Sequence, residues 1–261
     1  MRGRPVLEVR GLSLRFGSVV AFEEVSFDLA EGELLAVIGP NGAGKSSLFN
    51  VLSRIFRPTA GTVRFDGDDL LRLRTWQLAA RGIGRSFQNL ALFPHLSVLE
   101  NVLVGRHHLM RSGALRGGLY LGSARAEEVR HRRAAMEVLD YMGLSAHAAT
   151  PVHMLPYGLQ KCVELARCLA MEPRLLLLDE PVAGMSSSER QDVAALVQRL
   201  HRERGFTILL VEHDVGMVMS VADRVLVLDV GRVIAGGTPE EVQRSDAVIR
   251  AYLGAGVEAV A

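Results

Sequence analysis

From Val6 to Ala30, "VLEVRGLSLRFGSVVAFEEVSFDLA", apolar and polar residues alternate, with Gly17 and then Glu31-Gly32 as turn points. That period of two predicts antiparallel strands with one face buried. "ELLAVIG" is instead a short continuous apolar run ending in glycine, the pattern of a strand covered on both faces. Helical spacing follows in "KSSLFNVLSRIF", and the helix is expected to stop at Arg57-Pro58, because the residue before proline resists the α region. "GTVRFDGDDL" reads as a strand and turn. From about Phe87 to Gly158 the spacing is helical, in "SVLENVLVG" and "ARAEEVRHRRAAMEVLDYMGL", with the glycine-rich "RSGALRGGLYLG" between them. Strands and helices alternate again from "RLLLLDE" to "DRVLVLDVGRVIAGG". Such alternation predicts a largely parallel sheet with helices on its faces, here split by a helical insertion.

At 261 residues the chain has the size of one large domain with a subdomain. An apolar share of 49% and a charged share of 23% describe a globular protein. The net charge of +1 gives no general attraction to nucleic acid, so partners must be argued from sites. The two cysteines, Cys162 and Cys168, lie six apart on a predicted helix and so on different faces. That spacing offers neither a zinc site nor a disulfide framework, and points to a reducing compartment. No apolar run long enough for a signal peptide or a membrane span is expected, which leaves docking on a membrane protein open. Between Gly105 and Arg133 seven arginines face two glutamates, with Tyr120 the only aromatic. Without interleaved aromatics this reads as a solvated helical face rather than a nucleic-acid patch.

The strongest chemical signal is "GPNGAGKSS", Gly39 to Ser47, which fits GxxxxGK[ST] between a predicted strand and a predicted helix. Gly39, Gly42 and Gly44 let the backbone curl so that N–H groups and the helix N-terminus face phosphate oxygens. Lys45 adds a point charge at the β/γ phosphates, and the Ser46 hydroxyl is offered to Mg²⁺. Lys45 is one of only two lysines in a chain that otherwise uses arginine. The second signal is "LLLLDEP", Leu175 to Pro181, which delivers Asp179 and Glu180 at the carboxyl edge of a parallel sheet. Asp179 suits the Mg²⁺ water shell, and Glu180 is a candidate base or orienter for an attacking water.

Together "GPNGAGKSS", "RSFQN", "LLLLDEP" and "LVEHD", in this order, resemble the ATP-binding subunit of ABC transporters from about Leu7 to Gly254. "GLSLRFGSVVAFEEVSF", "FPHLSVLENVLVGRHH", "PVAGMSS" and the tail "VIRAYLG" are similar to the branched-chain amino acid uptake branch. The resemblance implies a P-loop NTPase core (1–87 and 159–254) with an antiparallel β-subdomain. It also implies a helical subdomain at 88–158 and a tail at 255–261. The nucleotide would be cradled by Gly39, Pro40, Asn41, Gly42, Ala43, Gly44, Lys45, Ser46 and Ser47, with Phe16 stacked on adenine. Mg²⁺ would be held by Ser46, Gln88 and Asp179, partly through water. Glu180, the switch histidine His213 and the Q-loop glutamine Gln88 would serve hydrolysis, and Gly158 would cover the nucleotide of an opposite subunit. The implied partners are a second ATP-binding subunit, transmembrane permease subunits contacted around Gln88 to Asn101 and, indirectly, an extracytoplasmic solute-binding protein. The implied location is the cytoplasmic face of the membrane.

Two departures from the family stand out. The signature LSGGQ is Leu155-Pro156-Tyr157-Gly158-Leu159, lacking the serine and the glutamine, and the D-loop Ser-Ala-Leu-Asp is Ala183-Gly184-Met185-Ser186, lacking the aspartate. Pro156 suits a first helical position, where its missing N–H costs nothing. A non-transport ABC ATPase of DNA repair or the ribosome is the alternative, but two nucleotide domains or coiled-coil arms, usual there, are absent. A P-loop kinase would leave "LPYG" and "VEHD" without a purpose.

Overall fold

The computed structural model describes residues 5–86, 90–110 and 122–254. It divides into two compact units, Met1–Leu78 with Leu175–Ala261, and Ala79–Arg174. The chain runs through β1 (Pro5–Phe16), β2 (Val19–Ala30), β3 (Leu34–Ile38), α1 (Lys45–Leu52), β4 (Ala60–Phe65) and β5 (Asp68–Asp69). The short α2 (Gln77–Ala80) falls at the change of unit, followed by β6 (Ile83–Arg85), α3 (Val98–Gly105), α4 (Gly122–Tyr141) and α5 (Tyr157–Leu169). The first unit resumes with β7 (Leu175–Asp179), α6 (Ser187–Arg204), β8 (Thr207–Val211), α7 (Val215–Val221), β9 (Arg224–Asp229) and β10 (Arg232–Gly237). It closes with α8 (Pro239–Gln243) and α9 (Asp246–Gly254).

The alternating N-terminal segments pair as expected, in an antiparallel sheet of order β2-β1-β4-β5. Within the first unit the larger sheet runs β10-β9-β3-β8-β7, parallel from β9 to β7 and antiparallel at β10. Every residue of β3, β7 and β8 is buried, which is why these segments read as unbroken apolar runs. Each fully buried leucine among them contributes about 1.5–3 kcal/mol relative to exposure.

Two helix boundaries differ from expectation. α1 ends at Leu52, short of Pro58, because Arg54 enters the left-handed region at φ 60° and the Asn50 carbonyl accepts from both Ile55 and Phe56. Pro156 is the N-cap of α5 rather than its first helical residue, with φ −54° and ψ 151°, and its carbonyl accepts from Gln160 N–H at 3.1 Å. Ser186, at the position of the family's aspartate, caps α6. Its hydroxyl accepts from Glu189 N–H while Glu189 Oε2 accepts from Ser186 N–H at 2.9 Å, a capping box.

The second unit packs its helices around Val98, Val102, Ala135, Leu139, Val163 and Ala166. The expected solvated face of the arginine-rich stretch fails at three residues, for Arg106, Glu127 and His131 are all buried. Arg106 there donates through Nε to His131 Nδ1 at 3.1 Å, and through its other nitrogens to the Ala170 carbonyl at 3.0 Å and Glu172 at 2.8 Å. Arg111, Arg116 and Tyr120 lie outside the described residues.

Candidate functional site

Three neighbouring parallel strands end in register. Val37 of β3 pairs with Val211 of β8, and Val211 pairs with Asp179 of β7. The residues that follow, Gly39, Glu212-His213 and Glu180, therefore leave the sheet along one carboxyl edge, where open α/β sheets bind ligands. Sequence spacing of more than a hundred residues is erased by that register.

The loop from β3 to α1 is shaped by steric exclusion. Gly39 has φ 152°, and a Cβ there would lie 1.9 Å from the Leu228 carbonyl oxygen. Gly44, at φ 98°, would place a Cβ 2.4 Å from the Ala21 carbonyl. Between them Pro40 is half-buried, Asn41 and Gly42 are exposed, and Ala43 is buried with its N–H donated to the Pro40 carbonyl at 3.2 Å. Lys45 turns back into the loop, donating through Nζ to the carbonyls of Gly39 at 2.6 Å and Pro40 at 2.9 Å. Burial pulls the Lys45 ammonium below its ordinary range, against the charges of Glu180 and Glu212. Ser46 is exposed and Ser47 half-buried. The first turn of α1 holds no acidic residue, so its positive dipole end is available to an anion.

Asp179 is 3% exposed at the end of β7. Glu180 sits in the left-handed region at φ 47°, a conformation worth about 1–3 kcal/mol of strain that concentrates at functional sites. Its N–H donates to the Val211 carbonyl at 2.8 Å, which fixes the turn against β8. The His213 ring is half-exposed, with Nδ1 3.9 Å from Glu180 Oε2 and 3.6 Å from Glu212 Oε2. Glu212 is fully buried. Its carboxylate accepts from Val182 N–H at 3.1 Å, His213 N–H at 3.0 Å and Asp214 N–H at 3.3 Å. Burial pushes its carboxyl up while these N–H groups pull it back.

Phe16 is 48% exposed and packs perpendicular to Phe56, with ring centroids 5.1 Å apart. Tyr252 of α9 buries its hydroxyl beside the Gly39 backbone, and burial raises its pKa. Gln88 lies outside the described residues. Gly158 is the second residue of α5, buried, in the second unit. The structure thus gathers the P-loop residues, Asp179, Glu180 and His213 into one unit. Glu212 and Tyr252 are residues that pattern reading does not find. Both stand inside stretches that carry the resemblance, "LVEHD" and "VIRAYLG", but nothing in their spacing assigns either a role.

A magnesium ion fits the donor set. Asp179 and Ser46 are hard oxygen donors. A cation that takes one or two protein oxygens and the rest from phosphates and water has this signature.

The chain belongs to the ABC transporter family, which it matches over residues 22–183. Residues 232–258 further match the branched-chain amino acid ATP-binding cassette transporter family. It is 39% identical to the high-affinity branched-chain amino acid transport ATP-binding protein BraF of Pseudomonas aeruginosa, covering 96% of this chain and 98% of that one. It is 40% identical to LivG of Salmonella typhimurium, of the same description, at the same coverage. Among solved structures it superposes on the ADP conformation of MJ1267, an ATP-binding cassette of an ABC transporter, with TM-score 0.83 and 28% identity over 96% of this chain and 99% of that one. The dimeric post-hydrolysis state of the cassette MJ0796, bound to ADP and Pi, follows at TM-score 0.74 and 27% identity, over 89% and 98% of the two chains. The protein is therefore an ABC ATPase, the ATP-binding, ATP-hydrolysing subunit of a transporter. Its relatives do not favour a repair or ribosome ATPase. No described helix is long and apolar enough to cross a membrane.

Proposed function

We propose that this chain binds MgATP, pairs with a second ATP-binding subunit around two nucleotides, and hydrolyses them to drive uptake of branched-chain or related amino acids through a separate permease. The observation that carries the chemistry is the shared carboxyl edge, where the Lys45 loop, Glu180 and His213 leave three registered strands. The names and high coverage of the relatives support the substrate class. The dimeric MJ0796 cassette supports the pairing.

In this reading the backbone N–H groups between Gly39 and Ser47 and the Lys45 ammonium bind the phosphates, and the exposed Phe16 ring stacks on adenine. Ser46 and Asp179 would hold Mg²⁺, with Gln88, and the ion neutralises phosphate charge when bound. Glu180 orients and deprotonates the attacking water, and His213 contacts the γ-phosphate. Gly158 and the N-terminus of α5 cover the nucleotide of the opposite subunit, a role that needs the helix dipole and backbone rather than the missing serine. The permease would hold the chain at the cytoplasmic face of the membrane and link it to an extracytoplasmic solute-binding protein.

The test is reconstitution with permease and binding protein, reading ATPase stimulation by branched-chain amino acids against urea, amides and other amino acids. Stimulation by a branched-chain amino acid, abolished by Lys45→Ala or Glu180→Gln, is the expected result. Glu180→Gln should still bind ATP and trap an ATP-dependent dimer. Full turnover of that variant as a monomer would overturn the assignment of Glu180.

A further inference from the structure

We propose that Glu212 is a positioning residue of the hydrolytic site: its carboxylate ties the loop after β7 to the loop after β8 and so sets the His213 ring against Glu180. The proposal rests on the reading of Glu180 and His213 given above.

A buried carboxylate costs several kcal/mol unless its oxygens are satisfied. Where space alone had to be filled at this strand end, an apolar residue would serve, as Ile208 to Val211 do immediately before it. Glu212 is fully buried and spends its two oxygens on two different loops. Oε1 takes the N–H of Val182, two residues beyond Glu180, and Oε2 takes the N–H groups of His213 and Asp214. The third anchor is its own backbone, whose N–H meets the Val37 carbonyl at 3.4 Å and so references the clamp to the strand that feeds the Lys45 loop. Asp214, held at one end by this carboxylate, caps α7 by accepting from Met217 N–H at 3.0 Å, which fixes the far side of the same loop. One residue, by its side chain and its backbone together, thus ties the ends of all three strands that build the site.

The requirement is for a charged, two-oxygen acceptor of this length. Glutamine has one acceptor oxygen and must turn its NH₂ toward one set of N–H donors, so it loses one loop whichever way it is placed. Aspartate keeps the charge and lacks the reach.

ATPase kinetics, nucleotide binding and thermal melting of Glu212→Gln, His213→Ala and the double variant decide the matter. A displacement of about 1 Å at a reacting site costs on the order of 100-fold, so Glu212→Gln is expected to lose roughly 10- to 100-fold in kcat with its Kd for ATP within about 3-fold of the parent. The double variant should be no slower than His213→Ala alone, because both changes act through one ring. A merely structural role would move melting and leave the two effects multiplicative, and that result overturns the proposal. So does wild-type kcat in Glu212→Gln beside a slow His213→Ala. Should His213→Ala itself keep full turnover, the reading of the switch histidine fails first and the proposal falls with it. If Glu212→Gln does not fold, Glu212→Asp carries the same comparison and the same expected losses.

Discussion

Replacing the loop glycines one at a time by alanine should produce a graded series whose order the structure fixes. Gly42 has φ 82° and open space where a Cβ would go, so Gly42→Ala meets only backbone strain, about 2 kcal/mol. Gly44→Ala adds a contact at 2.4 Å with the Ala21 carbonyl. Gly39→Ala is the extreme, since its Cβ would lie 1.9 Å from the Leu228 oxygen. That carbonyl belongs to β9, whose ladders to β3 and β10 oppose movement. Overpacking of this kind adds about 2 kcal/mol to the strain, for a total of about 4 kcal/mol. For a chain of this size Gly42→Ala should lower Tm by roughly 4–8 °C and Gly39→Ala by roughly 8–16 °C, with Gly44→Ala between. Differential scanning calorimetry of the nucleotide-free proteins reads this directly, and added MgATP should raise Tm in the parent and fail to do so in Gly39→Ala. Equal melting of Gly39→Ala and Gly42→Ala, or the reverse order, would refute the steric account of the loop.

Two further predictions concern the helical unit. His131 Nδ1 accepts from Arg106 Nε–H, so the folded state holds the neutral ring, and burial followed by the Arg106 charge lowers its pKa. Stability from this group is then complete above about pH 6.5, the ordinary histidine value, and is lost as pH falls through the depressed folded value. The Tm of the parent should drop more steeply between about pH 7 and pH 5 than that of His131→Gln, which keeps an acceptor, and parallel profiles would remove His131 as the cause. Lys161 and Glu164 of α5 form a buried pair at 3.5 Å. Glu164→Ala, which removes one member of this buried pair, should cost about 3–5 kcal/mol in urea denaturation, whereas Lys161→Met with Glu164→Leu should recover most of it; a harmless Glu164→Ala would show the pair to be dispensable.

The phosphate loop and the acidic strand end were legible because each is a local event, an apolar run followed by residues whose type is set by a ligand. What spacing could not convey is set by distant backbone. α1 was expected to reach Pro58, yet its end is decided by the left-handed Arg54 and the Asn50 carbonyl. Spacing assigns Glu212 no role, yet it is fully buried and its carboxylate accepts from Val182 N–H, thirty residues upstream. Arg106, Glu127 and His131 look like solvated charge on a helical face, yet all three are buried, and it is the Ala170 carbonyl and Glu172 from another segment that take the Arg106 guanidinium. Ser186 looks like the loss of a family aspartate and is the N-cap of the next helix.

The strand order has a bearing on how the chain is made. β3, which feeds the phosphate loop, finds its ladder partners only in β8 and β9, while the core of the helical unit draws all its members from Val98–Ala170. About 170 residues separate Ile38 from Thr207, so at roughly 5–20 residues per second β3 waits on the order of 8–35 seconds on the ribosome for its first neighbour. During that interval "LLAVI" is an apolar segment without its ladder partners, and every core residue of the helical unit is synthesised before β8. ATP can therefore assist only the last step of folding, once both partner strands have emerged, and a nascent chain shorter than Asp229 has a phosphate-binding sequence without a phosphate-binding site.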